Sequence, residues 1–234
     1  MEKRNDISEK KLLKDILQWD VINWSVPWKY WDELITGGQR KICLELGGRE
    51  GGLSLWLAGK GFEVVASDVS DTEERSRPLH ERYGLTAKIS YRDLDARSLP
   101  YENHFDIIVM KSVLGGIGYG GNVGDQRKAI HEIRKALKPG GLFLFAENAP
   151  ATWLHRLFRN TFTRWGKSWQ YLSINSMNEM LKEFSGCEIR SAGFAGVFGR
   201  TNRQKNILGM MDRRVFNWLM PKRWRYIVYG HAVK

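Results

Sequence analysis

At 234 residues, 42% of them hydrophobic, the chain can bury one real core, with room for an appended subdomain. No apolar run approaches the ~20 residues that span a bilayer, and the start MEKRNDISEKKLLKD is too charged for a secretory signal. Two cysteines, Cys43 and Cys187, supply neither a disulfide framework nor a zinc site, so a protein of a reducing cytoplasm is expected.

The net charge of +11 is uneven: residues 1–149 hold 22 basic and 22 acidic residues, whereas residues 150–234 hold 15 and four. The whole excess therefore lies in the last third, which points to an acidic partner.

In chain order, the first distinctive segment is DILQWDVINWSVPWKYWDELI (15–35), whose tryptophans and Tyr30 are expected mostly to pack against a sheet. Strand-like runs follow at KICLEL (41–46), EVVAS (63–67), KISY (88–91), FDIIVM (105–110) and GLFLFA (141–146). Helical patterns alternate with them: GGLSLWLAG, TEERSRPLHERYG and DQRKAIHEIRKALKPGG, the last stopped by Pro139-Gly140-Gly141. CEIRSAGF (187–194) and WRYIVYGHAVK (224–234) read as two further strands. Such alternation predicts a doubly wound α/β domain with a mostly parallel sheet covered on both faces.

Ligands of such sheets sit beyond the carboxyl ends of the strands, where strand order reverses. The first strand ends at Glu45, and Gly47, Gly48, Gly51 and Gly52 open the next helix; the second strand ends at Asp68. An acid there accepts hydrogen bonds from ribose hydroxyls, which fits any adenosine-containing ligand. The G-x-G-x-x-G spacing fails, because Arg49 stands where a glycine is required, and no Tyr-x-x-x-Lys pair occurs.

Four stretches in register narrow the choice: Glu45 with Gly47 and Gly51, Asp68, DARSLPYENHFDIIV (95–109) and LKPGGLFLFAE (137–147). In these the chain resembles the class I S-adenosylmethionine-dependent methyltransferases. That resemblance implies a Rossmann-like fold of seven strands, the last antiparallel, with S-adenosylmethionine as cofactor. It also implies a division into an N-terminal helical cover (1–38), a cofactor half (39–149) and an acceptor half (150–234).

By the same resemblance, Gly47 and Gly48 lie against the cofactor's methionine portion and Glu45 holds its ammonium group. Asp68 takes the ribose, Val69 packs on the adenine, Asp95 accepts from its amino group and the Ala96 amide faces the ring edge. Arg49 replaces the family's middle glycine, and its side chain can still point away from the ligand. In the cover, Trp24 or Trp28 is placed to shield the sulfonium by a cation–π contact.

At the ends of strands four and five stand Lys111, assigned to the cofactor, Tyr119, on the acceptor side, and Glu147. Glu147 is the expected general base, with a carboxylate that binds a neighbour as the alternative. No metal-ligand constellation occurs. His131 reads as a surface residue.

Residues 194–224 must overhang the ligand face, and Arg200, Arg203, Arg213 and Arg214 are assigned there to the acceptor. In residues 151–172, Trp153, Leu154, Leu157, Phe158, Phe162 and Trp165 follow helical spacing among Arg156, Arg159 and Arg164. That pattern suits a groove wall, an interfacial helix or a core helix with a basic outer side.

The expected activity is methylation of a negatively charged small or lipid-linked acceptor, with O-methylation of a saccharide in surface polysaccharide synthesis leading. RNA methylation and a non-catalytic cofactor-binding or membrane-associated interaction protein are the alternatives.

Overall fold

The computed structural model describes residues 8–37, 40–163 and 166–234; Arg164 and Trp165 of the expected basic helix lie outside them. Seven strands form one sheet in the order β3-β2-β1-β4-β5-β7-β6. They are β1 (Ile42–Leu46), β2 (Glu63–Asp68), β3 (Ile89–Asp93), β4 (Phe105–Lys111), β5 (Leu137–Asn148), β6 (Gly186–Ala192) and β7 (Ile227–Val233). β7 pairs antiparallel with both β5 and β6, so the other six strands run one way. The order reverses between β1 and β4, where a crevice opens for ligand.

Strand periodicity explains the two cores. Cys43, Val64, Ala66, Ile107, Val109, Leu144 and Ala146 face one layer, while Leu44, Leu46, Ile108, Met110, Phe143 and Phe145 face the other. The first layer packs on α1 (Glu9–Leu17), α2 (Val21–Leu34), α3 (Gly52–Gly59) and α4 (Thr72–Arg82). The second packs on α6 (Val123–Ala136) and α8 (Ile174–Met180), with the short α5 (Leu114–Ile117) after β4. Cys43 is a buried core thiol and Cys187 is exposed; both are free.

The N-terminal aromatics mostly serve packing. Trp31 is fully buried, stacks on Trp56 at 6.3 Å and donates its indole N–H to Gly230 O at 3.0 Å. Burial on this scale stabilises by roughly 1.5–3 kcal/mol for each large apolar side chain. Among the described residues no helix is long and apolar enough to cross a membrane.

Two boundaries differ from expectation. α6 stops at Ala136, but β5 starts immediately at Leu137, pairing with Phe105 before a register shift carries the chain to the Ile107–Leu142 pair. The Pro-Gly-Gly that stops the helix thus becomes an irregularity inside a strand, since its backbone suits a bulge. At the C-terminus, Lys222–Trp224 form a 3₁₀ turn, and β7 begins only at Ile227.

Residues after β5 build the upper rim. α7 (Trp153–Phe162) and a 3₁₀ turn (Gly196–Phe198) lean together through Phe158 and Phe198, 5.4 Å apart. The turn carries α9 (Asn202–Met211), which continues through a π-helical turn (Asp212–Phe216) into α10 (Asn217–Leu219). Asp212 anchors this arm: it is buried and accepts from the Ala195 and Gly196 amides at 2.7 and 2.8 Å.

Candidate active site

The glycine turn after β1 is shaped as much by the protein as by any ligand. A Cβ on Gly48 would meet the Glu45 carboxyl at 2.8 Å, and one on Gly52 would strike the Ile16 carbonyl of α1 at 2.2 Å. Glu45 is buried, and both of its oxygens are taken by the first turn of α3, through Leu53 N, Ser54 N and Ser54 Oγ. Burial raises its pKa against those hydrogen bonds.

Arg49 holds a positive φ of 52°, tolerable because its amide donates to Asp68 Oδ2 at 2.9 Å. Its side chain does not turn away from the crevice: the guanidinium lies 5.6 Å from the centre of the Trp19 ring.

Asp68 ends β2 beside this turn, and Val69 next to it is an apolar side chain that is 70% exposed. Asp95 is gripped by Arg97 through its backbone amide and guanidinium, and Arg97 continues to Asp125. Ala96 is buried below. Glycine turn, ribose-type acid and exposed apolar side chain fit an adenosine-containing cofactor.

Lys111 ends β4 buried, with Nζ 3.0 Å from the Trp19 ring centre, 4.9 Å from that of Trp24, and no hydrogen bond. Burial pulls its pKa well below the usual lysine range, opposed by attraction to Glu45 and Glu147.

Glu147 has a different position from that of a base at the acceptor. Its carboxylate is fully buried and accepts from the Val113, Leu114 and Gly115 amides at 2.7, 2.8 and 3.4 Å. It caps the first turn of α5, holding the loop after β4. Burial pushes its pKa up to about 7 in spite of those three donors.

Beside the glycine turn lies a cavity of about 630 Å³. Its floor is Ser112 and Asn148 at the ends of β4 and β5, joined by a 2.6 Å hydrogen bond. Trp19, Asp20 and Trp24 close one side from the α1–α2 junction, and Tyr226 comes from the start of β7. Phe158, Arg159 and Phe162 of α7, with Arg200 and Lys205 at the start of α9, form the outer wall. Of the four arginines assigned to the acceptor, Arg200 reaches this wall; Arg203, Arg213 and Arg214 are exposed and do not line it. Tyr119, 64% exposed, also lies outside the lining.

Two buried groups in the lining have incomplete partners. Asp20 sits at φ 43° between α1 and α2; Oδ2 accepts from Tyr226 Oη, and Oδ1 is buried without a hydrogen bond. Burial raises its pKa to about 6, against the Tyr226 hydrogen bond and the charge of Lys205, which lower it. Arg159 is 1% exposed; Nη1 donates to Ala149 O at 2.7 Å, and the guanidinium lies 4.5 Å from the Tyr171 ring centre and 5.8 Å from that of Tyr226, while Nη2 has no hydrogen-bond acceptor and no carboxylate among the described residues pairs with it. A buried guanidinium without a counter-charge is costly unless an anion joins it.

The sequence of the family described as a methyltransferase domain matches residues 30–193. The chain belongs to that family. Similar curated proteins include the ubiquinone/menaquinone biosynthesis C-methyltransferase UbiE of Shewanella sp. strain ANA-3. It is 30% identical over 152 residues, 61% of this chain and 57% of the relative. The same-named protein of Proteus mirabilis strain HI4320 is 29% identical over 146 residues, 60% of this chain and 55% of that one. The chain thus spans little more than half the length of these relatives.

Among solved structures, Haemonchus contortus phosphoethanolamine N-methyltransferase 2 aligns with a TM-score of 0.64 at 17% identity, covering 99% of this chain and 58% of that one. The [4+2]-cyclase SpnF aligns at 0.60 and 19%, covering 90% and 80%. These likenesses concern the fold, and the cyclase shows how much chemistry the fold can host.

Sequence reasoning passed over Asp20, Tyr226 and the inward turn of Arg159. Two signals were present: an acid set among tryptophans, and His155 with Arg159 at an i, i+4 spacing that defines a polar helix face.

Proposed function

We propose that the chain transfers a methyl group from S-adenosylmethionine to a small or lipid-linked acceptor that carries negative charge. Asp68, the glycine turn and Val69 hold the cofactor, with Asp95 and Ala96 at its adenine end. The cofactor supplies a sulfonium methyl that is electrophilic already, so the protein must chiefly position the acceptor and exclude water.

The observation that carries this reading is Arg159, a buried arginine lining the cavity with an unsatisfied Nη2. A phosphate or carboxylate of the acceptor satisfies it by a charge-assisted hydrogen bond, and Arg200 and Lys205 add to the positive field at the same wall. Asp20 faces the same space, and its pKa of about 6 leaves it ionised near neutrality yet basic enough to accept a proton. In this reading the acceptor hydroxyl gives its proton to Asp20, while Tyr226 fixes the carboxylate's orientation.

The acceptor we favour is a saccharide joined to phosphate or pyrophosphate, methylated on oxygen. Aromatic walls suit the apolar face of a sugar, and Arg159 suits the phosphate. To test this, purified protein and labelled S-adenosylmethionine are incubated with a cell extract, which is then fractionated. Label should enter the anionic small-molecule or lipid-linked pool; label confined to RNA or to uncharged compounds would overturn the acceptor assignment.

A further inference from the structure

α7 is inside out. His155 and Arg159 point to the interior, His155 bonding Thr152 Oγ1 at 2.7 Å and Phe194 O at 2.8 Å, while Trp153, Leu154, Leu157 and Phe162 are 45–69% exposed. The arm beyond Asn202 repeats the pattern, with Trp218 85% and Leu219 59% exposed. Of the fourteen large hydrophobic side chains exposed among the described residues, ten lie in α7 and the α9–α10 arm. They belong to one rim. Phe194 contacts both His155 of α7 and Phe216 of the arm, at 5.1 and 5.6 Å, and Arg200 covers the Phe162 ring at 4.8 Å. The same rim frames the mouth of the acceptor cavity, through Phe158, Phe162 and Arg200.

Charge on the rim has one sign. Arg156, Arg203, Arg213, Arg214, Lys222 and Arg223 are exposed and form no ion pair among the described residues. The single acid between residues 194 and 224, Asp212, is buried beneath the arm. Aliphatic and tryptophan side chains flanked by unpaired cations match an interface with acyl chains below and anionic headgroups around. A second copy of the chain would bring like charge against like. A nucleic acid would leave the leucines without a partner.

We propose that α7 and the α9–α10 arm form a docking surface for an anionic lipid bilayer, setting the mouth of the acceptor cavity against the membrane. The surface itself is independent of the acceptor's identity, and only its service to a lipid-linked acceptor rests on the function proposed above. Arginines that do not line the cavity thereby acquire a role.

The test is flotation of the full chain with vesicles of phosphatidylcholine alone or mixed with phosphatidylglycerol, at low and high salt. Binding is expected to the mixed vesicles, weakened by salt as headgroup attraction is screened. Leu157→Ser with Trp218→Ser, both at exposed positions, should lower that binding about tenfold or more. Arg213→Gln with Arg214→Gln should lower it at low salt and flatten the salt dependence. In each variant, S-adenosylhomocysteine binding measured by calorimetry should match wild type, which separates loss of docking from loss of fold. The proposal is overturned by absence of binding to mixed vesicles, by equal binding to both vesicle types, by binding indifferent to both double variants, or by a stable dimer that the serine variants dissolve. Tighter retention on RNA than on vesicles under the same salt would overturn it too.

Discussion

The two sides of the ligand face treat their buried carboxylates differently. In the cofactor half, Glu45 and Glu147 sit fully enclosed with their oxygens held by backbone amides of the helices that follow β1 and β4. Those carboxylates complete the fold, whereas Asp68 and Val69 stay partly open. On the acceptor side, formed by the N-terminal cover and the last third of the chain, Asp20 Oδ1 and Arg159 Nη2 are buried around a cavity without a hydrogen-bond partner; Lys111 Nζ on the cofactor side lacks one too but lies over the Trp19 ring, outside the cavity lining. A buried polar group that the chain leaves unsatisfied is expensive, and the natural partner is whatever the cavity receives. The distinction separates residues that build a site from residues that act in it. The function proposed above accordingly takes Asp20, rather than Glu147, as the general base.

Substitutions can break this comparison, and the largest effect should come from the acceptor half. Asp20→Asn should lower turnover by roughly 10²–10⁴-fold while cofactor affinity holds. In the parent protein kcat/KM should climb as pH rises through about 6, where Asp20 loses its proton, and that limb should vanish in the variant. A limb that survives in Asp20→Asn and disappears in Glu147→Gln would return the base to Glu147. Linkage gives a second reading of the same group. Its folded pKa of about 6 exceeds the ordinary 3.8, so its contribution to stability is greatest below pH 3.8 and declines as pH rises to 6. Thermal melts of Asp20→Asn should lose that part of the pH dependence.

The cofactor half answers differently. Asp68→Ala should weaken S-adenosylmethionine binding by roughly 10–150-fold, the equivalent of one charge-assisted hydrogen bond of about 1.5–3 kcal/mol. Affinity unchanged in titration calorimetry would remove Asp68 from the site.

The smallest change is expected for Glu147→Gln. The amide oxygen still accepts from the Val113 and Leu114 N–H groups, and only the longer Gly115 bond loses its acceptor, so about 1 kcal/mol of stability should be lost, a drop of about 2–4 °C in Tm for a chain of this size. Turnover near that of wild type would accompany it.

How far the sequence could be read follows the same division. The cofactor half is made of contiguous turns, in which Glu45 to Gly52 and Asp68 to Val69 are each placed by the strand they follow. Strand alternation therefore carried both the fold and these positions. The acceptor half is assembled from segments far apart in the chain: Asp20 meets Tyr226 across 206 positions. Spacing says nothing about such meetings. α7 illustrates the limit, since its periodicity showed two faces without saying which one turns inward. There the buried face is the polar one: Arg159 reaches the cavity lining, and His155 lies among the Phe194, Phe198 and Tyr226 rings. The Pro139-Gly140-Gly141 run was legible as a helix stop and hidden as a strand irregularity, because only pairing with β4 reveals the register shift.

The central claim is that Arg159 is a buried receptor for the acceptor's anion, and calorimetry of the S-adenosylhomocysteine-loaded protein reads it directly. Inorganic pyrophosphate, the charge of the favoured acceptor without its sugar, should bind wild type and should bind Arg159→Met at least about tenfold more weakly. Arg159→Lys, which keeps the charge and loses the fork, should fall between the two. S-adenosylhomocysteine affinity should be equal in all three proteins. Pyrophosphate binding of equal strength in wild type and Arg159→Met, or no binding to wild type, would contradict the account.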